Sequence, residues 1–138
     1  MQILVVDGQG GGIGKLLVSK LKETLPHISV RAVGTNSFAT HAMHKAGADL
    51  AATGENAIVV GCKNASIIVG PVGIVIADAL LGEITPKMAV AIGQSDAKKV
   101  LIPTNQCGHV VVGTAASSVT TLISQAIDEI VNIISQES

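Results

Sequence analysis

The chain has no tryptophan and no tyrosine, and its 138 residues include a single aromatic side chain, Phe38. A core drawn from such a sequence must consist of Val, Ile, Leu and Ala, the make-up of parallel strands covered on both faces by helices. Charge is also scarce, at 14% of residues and a net charge of −1. With no basic stripe to neutralise phosphates, nucleic acid is not an expected partner. Cysteine is limited to Cys62 and Cys107, whose separation is not a metal-ligand spacing, so no metal site is expected. The longest apolar run, Ile67 to Leu81, is broken by Asp78 and by glycines and is too short to span a bilayer. No membrane partner is expected. A first strand beginning at Ile3 leaves no room for a signal peptide, and a cytoplasmic protein with reduced thiols is expected.

What is present is apolar residues in quantity, 48% of the chain, at a length that suits one domain over residues 1–138. Few charges and a positive mean hydropathy leave apolar surface that a small monomer hides poorly. A homo-oligomer is therefore expected.

The most informative stretch is Asp7-Gly8-Gln9-Gly10-Gly11-Gly12-Ile13-Gly14. Before it, Ile3-Leu4-Val5-Val6 reads as a buried parallel strand. After it, Lys15 to Lys22 carries apolar residues at helical spacing with lysines on the other side. The glycines therefore occupy a strand-to-helix turn, where backbone N–H groups without helical partners and the positive end of the helix dipole face outward. Phosphate is the natural occupant of such a turn. The spacing Gly8-x-x-x-Gly12-Ile13-Gly14 resembles the phosphate turn of short-chain dehydrogenases, with Asp7 where that family usually has threonine. It fits neither G-x-G-x-x-G nor the Walker A pattern, so a nucleoside triphosphate with magnesium is not expected. The turn also has a plain reading, tight packing of helix on strand.

Further strands are predicted at Ile28–Val33, Asp49–Ala52, Ser66–Val69 and Lys99–Ile102, with a last one at His109–Val112. Helices are predicted at Phe38–Lys45, Ala57–Lys63, Ile74–Leu81, from Pro86 to Gly93, and from Ser117 to about Ser135. Thr85 is placed to cap the helix that Pro86 opens. The alternation reads as an α/β fold: a doubly wound, mostly parallel, Rossmann-like sheet in a three-layer domain.

In such a sheet, ligands lie beyond the carboxyl ends of the strands. The loops there are Asp7–Gly14, Gly34–Asn36, Thr53–Asn56, Gly70–Gly73 and Pro103–Asn105. Each alone reads as caps and turns, whereas their recurrence at strand ends points to one cleft. The candidate binding residues are Asp7 to Gly14, Thr35, Asn36, Thr53, Glu55, Asn56, Gly70, Pro71, Thr104 and Asn105. NAD or NADP is the cofactor considered. However, the acid that binds a ribose about 20 residues past such a turn is missing from Gly34-Thr35-Asn36, and Arg31 lies inside its strand. Thr35 or Asn36 has the chemistry to bond a ribose hydroxyl or a 2′-phosphate. Hydride transfer through Tyr-x-x-x-Lys is excluded by the lack of tyrosine. Asp7 is placed to fix the glycine turn, with no second acid evidently paired to it. His41 and His44, three residues apart, read as solvated rather than as metal ligands. Cys107, in a strand-end loop, is the one nucleophile candidate.

The blocks Asp7–Gly14, Gly34-Thr35-Asn36, Ala52–Val59, Gly70–Ile74 and Gly82–Ala89 together resemble a small bacterial family catalogued as a domain of unknown function. The resemblance runs over nearly the whole chain up to the C-terminal helix. It implies a Rossmann-like fold and brings no activity with it.

Three functions follow as expectations. The leading one is a nucleotide- or dinucleotide-binding protein holding a phosphate on Gly8–Gly14. The second is a small enzyme acting on a phosphorylated or carboxylated metabolite, with Asp7, Glu55 or Glu83 as acid or base. The third is a nucleotide-sensing subunit of an oligomer without activity of its own. The first depends on the turn's amides being open to an outside anion.

Overall fold

The computed structural model describes residues 1–104, 108–114 and 117–137. The chain runs β1 (Gln2–Asp7), α1 (Gly12–Thr24), β2 (Ser29–Gly34), α2 (Ser37–Lys45), β3 (Leu50–Thr53), α3 (Glu55–Asn64) and β4 (Ile67–Pro71). A 3₁₀ turn (Val72–Val75) follows, then α4 (Pro86–Gln94), β5 (Lys98–Ile102) and α5 (Val119–Glu137). The five strands are all parallel, in the order β3-β2-β1-β4-β5. Strand order reverses beside β1, so the switch point of this doubly wound sheet lies between the ends of β1 and β4.

Strand periodicity divides the core in two. Ile3 and Val5 face a layer built by Leu17, Val18 and Leu21 of α1, Ala39 and Met43 of α2, and Ile123, Ile127 and Ile130 of α5. Leu4 and Val6 face the opposite way, onto Ile58 of α3, Met88 and Ile92 of α4, and Ile74, Leu80 and Ile84 between them. The strands read as continuous apolar runs because both faces are covered. No aromatic side chain belongs to either core. Helix starts follow local chemistry: the Asn36 side chain accepts from the Ala39 amide, and Thr85 accepts from the Met88 amide ahead of Pro86.

Two predicted elements are not formed. Ile74–Leu81 is not an α-helix, since after the 3₁₀ turn the backbone takes left-handed values at Asp78, Leu80, Leu81 and Gly82. A short run that is apolar all round carries no helical period to hold it. Here it folds into successive turns that bury Ile74, Leu80 and Ile84 in one core. Nor is His109–Val112 a strand; Val110 and Val112 project into solvent, and β-branching without a neighbour makes no ladder.

The register brings Asp7, Gly34 and Thr53 level at the ends of β1, β2 and β3. At the outer edge β3 is exposed at all four residues and carries neither charge nor proline. Among the described residues no helix is long and apolar enough to cross a membrane.

Candidate functional site

Alternation along β1 turns the last side chain, Asp7, toward the α1 layer, as Ile3 and Val5 are turned. The carboxylate sits inside the glycine turn and is 5% exposed. Oδ1 accepts from the Gly8 amide at 2.8 Å and Oδ2 from the Gly14 amide at 2.7 Å. Asp7 thus fixes the turn, as its position in the sequence suggested. Burial pushes its pKa up, the Gly14 and Gly8 amides pull it down, and the charge of Glu83 adds to the rise; the net shift is upward.

Glu83, a candidate acid or base from the sequence, joins the site as a hydrogen-bond acceptor. The turns after β4 carry its carboxylate across the switch point onto the glycine turn. Oε1 accepts from the Gln9 amide at 2.8 Å, the Thr35 hydroxyl at 2.5 Å and Asn36 Nδ2 at 2.9 Å. Burial raises the Glu83 pKa, but the three donors outweigh it and hold the carboxyl below its ordinary value. Among the described residues Oε2 has no hydrogen-bond partner. The same Asn36 amide also donates to the Gln9 carbonyl at 2.9 Å, tying the start of α2 to the turn.

The turn's amides are therefore divided. Those of Gly8, Gln9 and Gly14 are taken by the protein's own carboxylates, and that of Gly11 donates to the Gly8 carbonyl. The expectation that the whole of Gly8–Gly14 receives a ligand phosphate is narrowed accordingly. The amides of Gly10 and Gly12 have no partner among the described residues, and a Cβ on either would meet open space. Gly11 serves packing: its φ is +73° and a Cβ there would come 2.8 Å from the Ala39 Cα. At Gly8 the space of a Cβ belongs to Thr35, Glu83 and Leu80.

Gln9 and Gly10 of the turn, with Asn36, Phe38, His41, Ala42 and Glu83, line a cleft of about 650 Å³. That is a volume a small-molecule ligand requires. The remaining candidates fall elsewhere. Thr53 bonds Thr40 through its hydroxyl at 2.6 Å, and with Asn56 it lines a separate groove along β3. Glu55 Oε2 accepts from the Thr85 hydroxyl at 2.6 Å, joining α3 to α4. Gly70 lets β4 close against the Val6 carbonyl, and Pro71 is buried. Ile13 starts the packed face of α1. Thr104 is half-buried after β5, while Asn105 and Cys107 lie outside the described residues.

Thr35, Asn36 and Gln9 meet through Glu83, while Glu83, Phe38 and His41, none of them among the candidate binding residues, line the cleft with Gln9, Gly10 and Asn36. No spacing rule links Glu83 to Thr35, 48 residues away. The usable signal was topological, since the loop after β4 lies beside the end of β1.

A family model described as a domain of unknown function (DUF3842) matches residues 2–135, and the chain belongs to that family. No curated protein matches the sequence. Among solved structures the chain is similar to a dodecameric FMN-dependent UbiX-like decarboxylase from Escherichia coli O157:H7. The two are 19% identical at a TM-score of 0.49, over 94% of this chain and 75% of that one.

Proposed function

We propose that this member of the DUF3842 family binds a nucleotide across the carboxyl ends of β1 and β2. In this reading a phosphate faces the Gly10 and Gly12 amides, and a sugar hydroxyl donates to Glu83 Oε2. The observation that carries it is the position of Glu83. Dinucleotide folds use an acid at the end of the second strand to accept from a ribose hydroxyl. Here the end of β2 has no acid, and Glu83 supplies one in space, lining the cleft with Oε1 tied to Thr35 and Asn36 and Oε2 without a partner among the described residues. Two carboxylates already at the turn favour a phosphate bearing one charge, as in a diphosphate bridge, over a dianionic terminal phosphate. The Glu83 charge likewise disfavours a 2′-phosphate, so NAD is favoured over NADP.

The same reading has the protein acting in the cytoplasm as a homo-oligomer. Supporting this are the free Cys62 thiol and the exposed apolar residues Leu50 and Val60 beside the bare β3 edge.

The test is calorimetric and thermal-shift titration with NAD, NADP, FAD, FMN and AMP. A ligand at a hundred times its Kd adds about 2.7 kcal/mol of stability. The expected result is stabilisation by at least one of them that weakens in Glu83→Gln. If none stabilises the protein, the reading is wrong.

A further inference from the structure

We infer that Phe38 is a platform for a flat heteroaromatic ring, so that the cleft takes a nucleoside-bearing ligand rather than a bare sugar phosphate. The inference rests on the nucleotide reading above and adds the ring to it. Phe38 is the only aromatic residue in the chain, yet it is 80% exposed while both cores are filled entirely by aliphatic and sulfur-bearing side chains. The helix geometry shows that this exposure is directional. α2 buries Ala39 and Met43, whereas Phe38, His41 and Ala42 sit three and four residues apart on the flank that lines the cleft. Phe38 thus lines the same cleft as Gln9, Gly10 and Glu83.

The start of α2 is tied to the polar end of the cleft. The Asn36 side chain caps α2 through the Ala39 amide and at the same time donates to the Gln9 carbonyl and Glu83 Oε1. The start of α2 that carries Phe38, the Glu83 carboxylate and the Gln9 backbone thus belong to one hydrogen-bonded frame, with Gly10 beside it in the cleft. An aromatic face accepts any base, because every base has a π-face. The ligand class set by this frame is a planar ring joined to a hydroxylated sugar and a phosphate.

The lack of tryptophan and tyrosine makes the test direct, since a Phe38→Trp variant carries the protein's one strong fluorophore. NAD, AMP and FMN serve as ring-bearing probes and ribose 5-phosphate as the ring-free one. Stacking predicts that at least one ring-bearing probe quenches or shifts Phe38→Trp emission while ribose 5-phosphate does not. Phe38→Leu should raise the Kd of that probe about tenfold or more and leave ribose 5-phosphate unchanged. Glu83→Gln should weaken both kinds.

If Glu83→Gln weakens binding but Phe38→Leu does not, the platform is refuted and the nucleotide reading stands. If no probe binds the wild-type protein, both fall. A drop in sedimentation coefficient on Phe38→Leu without ligand would give Phe38 to a contact between copies and overturn the platform.

Discussion

The Thr35 hydroxyl donates to Glu83 Oε1 at 2.5 Å, linking the end of β2 to the turns that follow β4. Because the Gln9 amide and Asn36 Nδ2 use the same oxygen, Glu83→Ala strips the acceptor from three part-buried donors. The expected loss is about 1–3 kcal/mol of folding stability. Glu83→Gln keeps an oxygen at the position and should cost less than about 1 kcal/mol. Urea denaturation of the two variants decides this; equal midpoints would show that the three bonds contribute nothing.

The two carboxylates of the site respond to pH in opposite senses. Glu83 has its folded pKa below the ordinary value. Its contribution is therefore present above the ordinary glutamate pKa and lost as pH falls through the folded one. Asp7 has its folded pKa raised, mainly by burial. Its contribution is complete below the ordinary aspartate pKa and lost as pH rises through the folded value. Glu83→Gln removes the first of these and lessens the second, because the Glu83 charge adds to the rise at Asp7, which burial mainly sets. The stability difference between wild type and Glu83→Gln should therefore shift toward the variant as pH falls from about 7 to about 3. Urea midpoints across that range that run parallel would contradict it.

Within the turn, the glycines should separate sharply. Gly11→Ala forces a left-handed alanine whose Cβ meets the α2 backbone, and it should destabilise by more than about 1–2 kcal/mol. Gly10→Ala and Gly12→Ala point methyl groups into open space and should leave the thermal midpoint nearly unchanged. Those methyls do, however, obstruct a ligand phosphate at the two open amides. Calorimetry on the folded variants should show weaker nucleotide binding, and unaltered binding would remove Gly10 and Gly12 from the site.

Leu81 holds a left-handed backbone, φ 57°, while its side chain is exposed. Asparagine tolerates that conformation better than leucine does. Leu81→Asn should raise stability by up to about 1 kcal/mol, read as a higher urea midpoint with unchanged slope. A lower midpoint would mean that the Leu81 side chain contributes more than its backbone strain costs.

How far the sequence carried can be judged on particular residues. Ile3 to Val6 and the glycine turn gave the first strand, the first helix and the fold class, because short-range patterns encode them directly. Thr85 and Asn36 were recognisable as caps for the same reason. The failures were non-local. Ile74–Leu81 has helix-like composition, yet its path is set by where Ile74, Leu80 and Ile84 find a core and by where Glu83 finds donors. Val110–Val112 has strand composition but, among the described residues, no strand beside it. Glu83 itself read as a surface charge or a general acid, since its partners are assembled only once β1, β2 and β4 lie side by side. Local chemistry was readable; the meeting of distant loops was not.

β3 presents one last consequence. A sheet stops growing sideways only where something forbids another strand, and Leu50–Thr53 is exposed along its whole length, with the Thr40 hydroxyl donating to the Ala52 carbonyl. As the protein is concentrated, that bare margin rather than the sparse surface charge should govern how molecules meet, and a lysine in place of Ala51 is the simplest barrier to set across it.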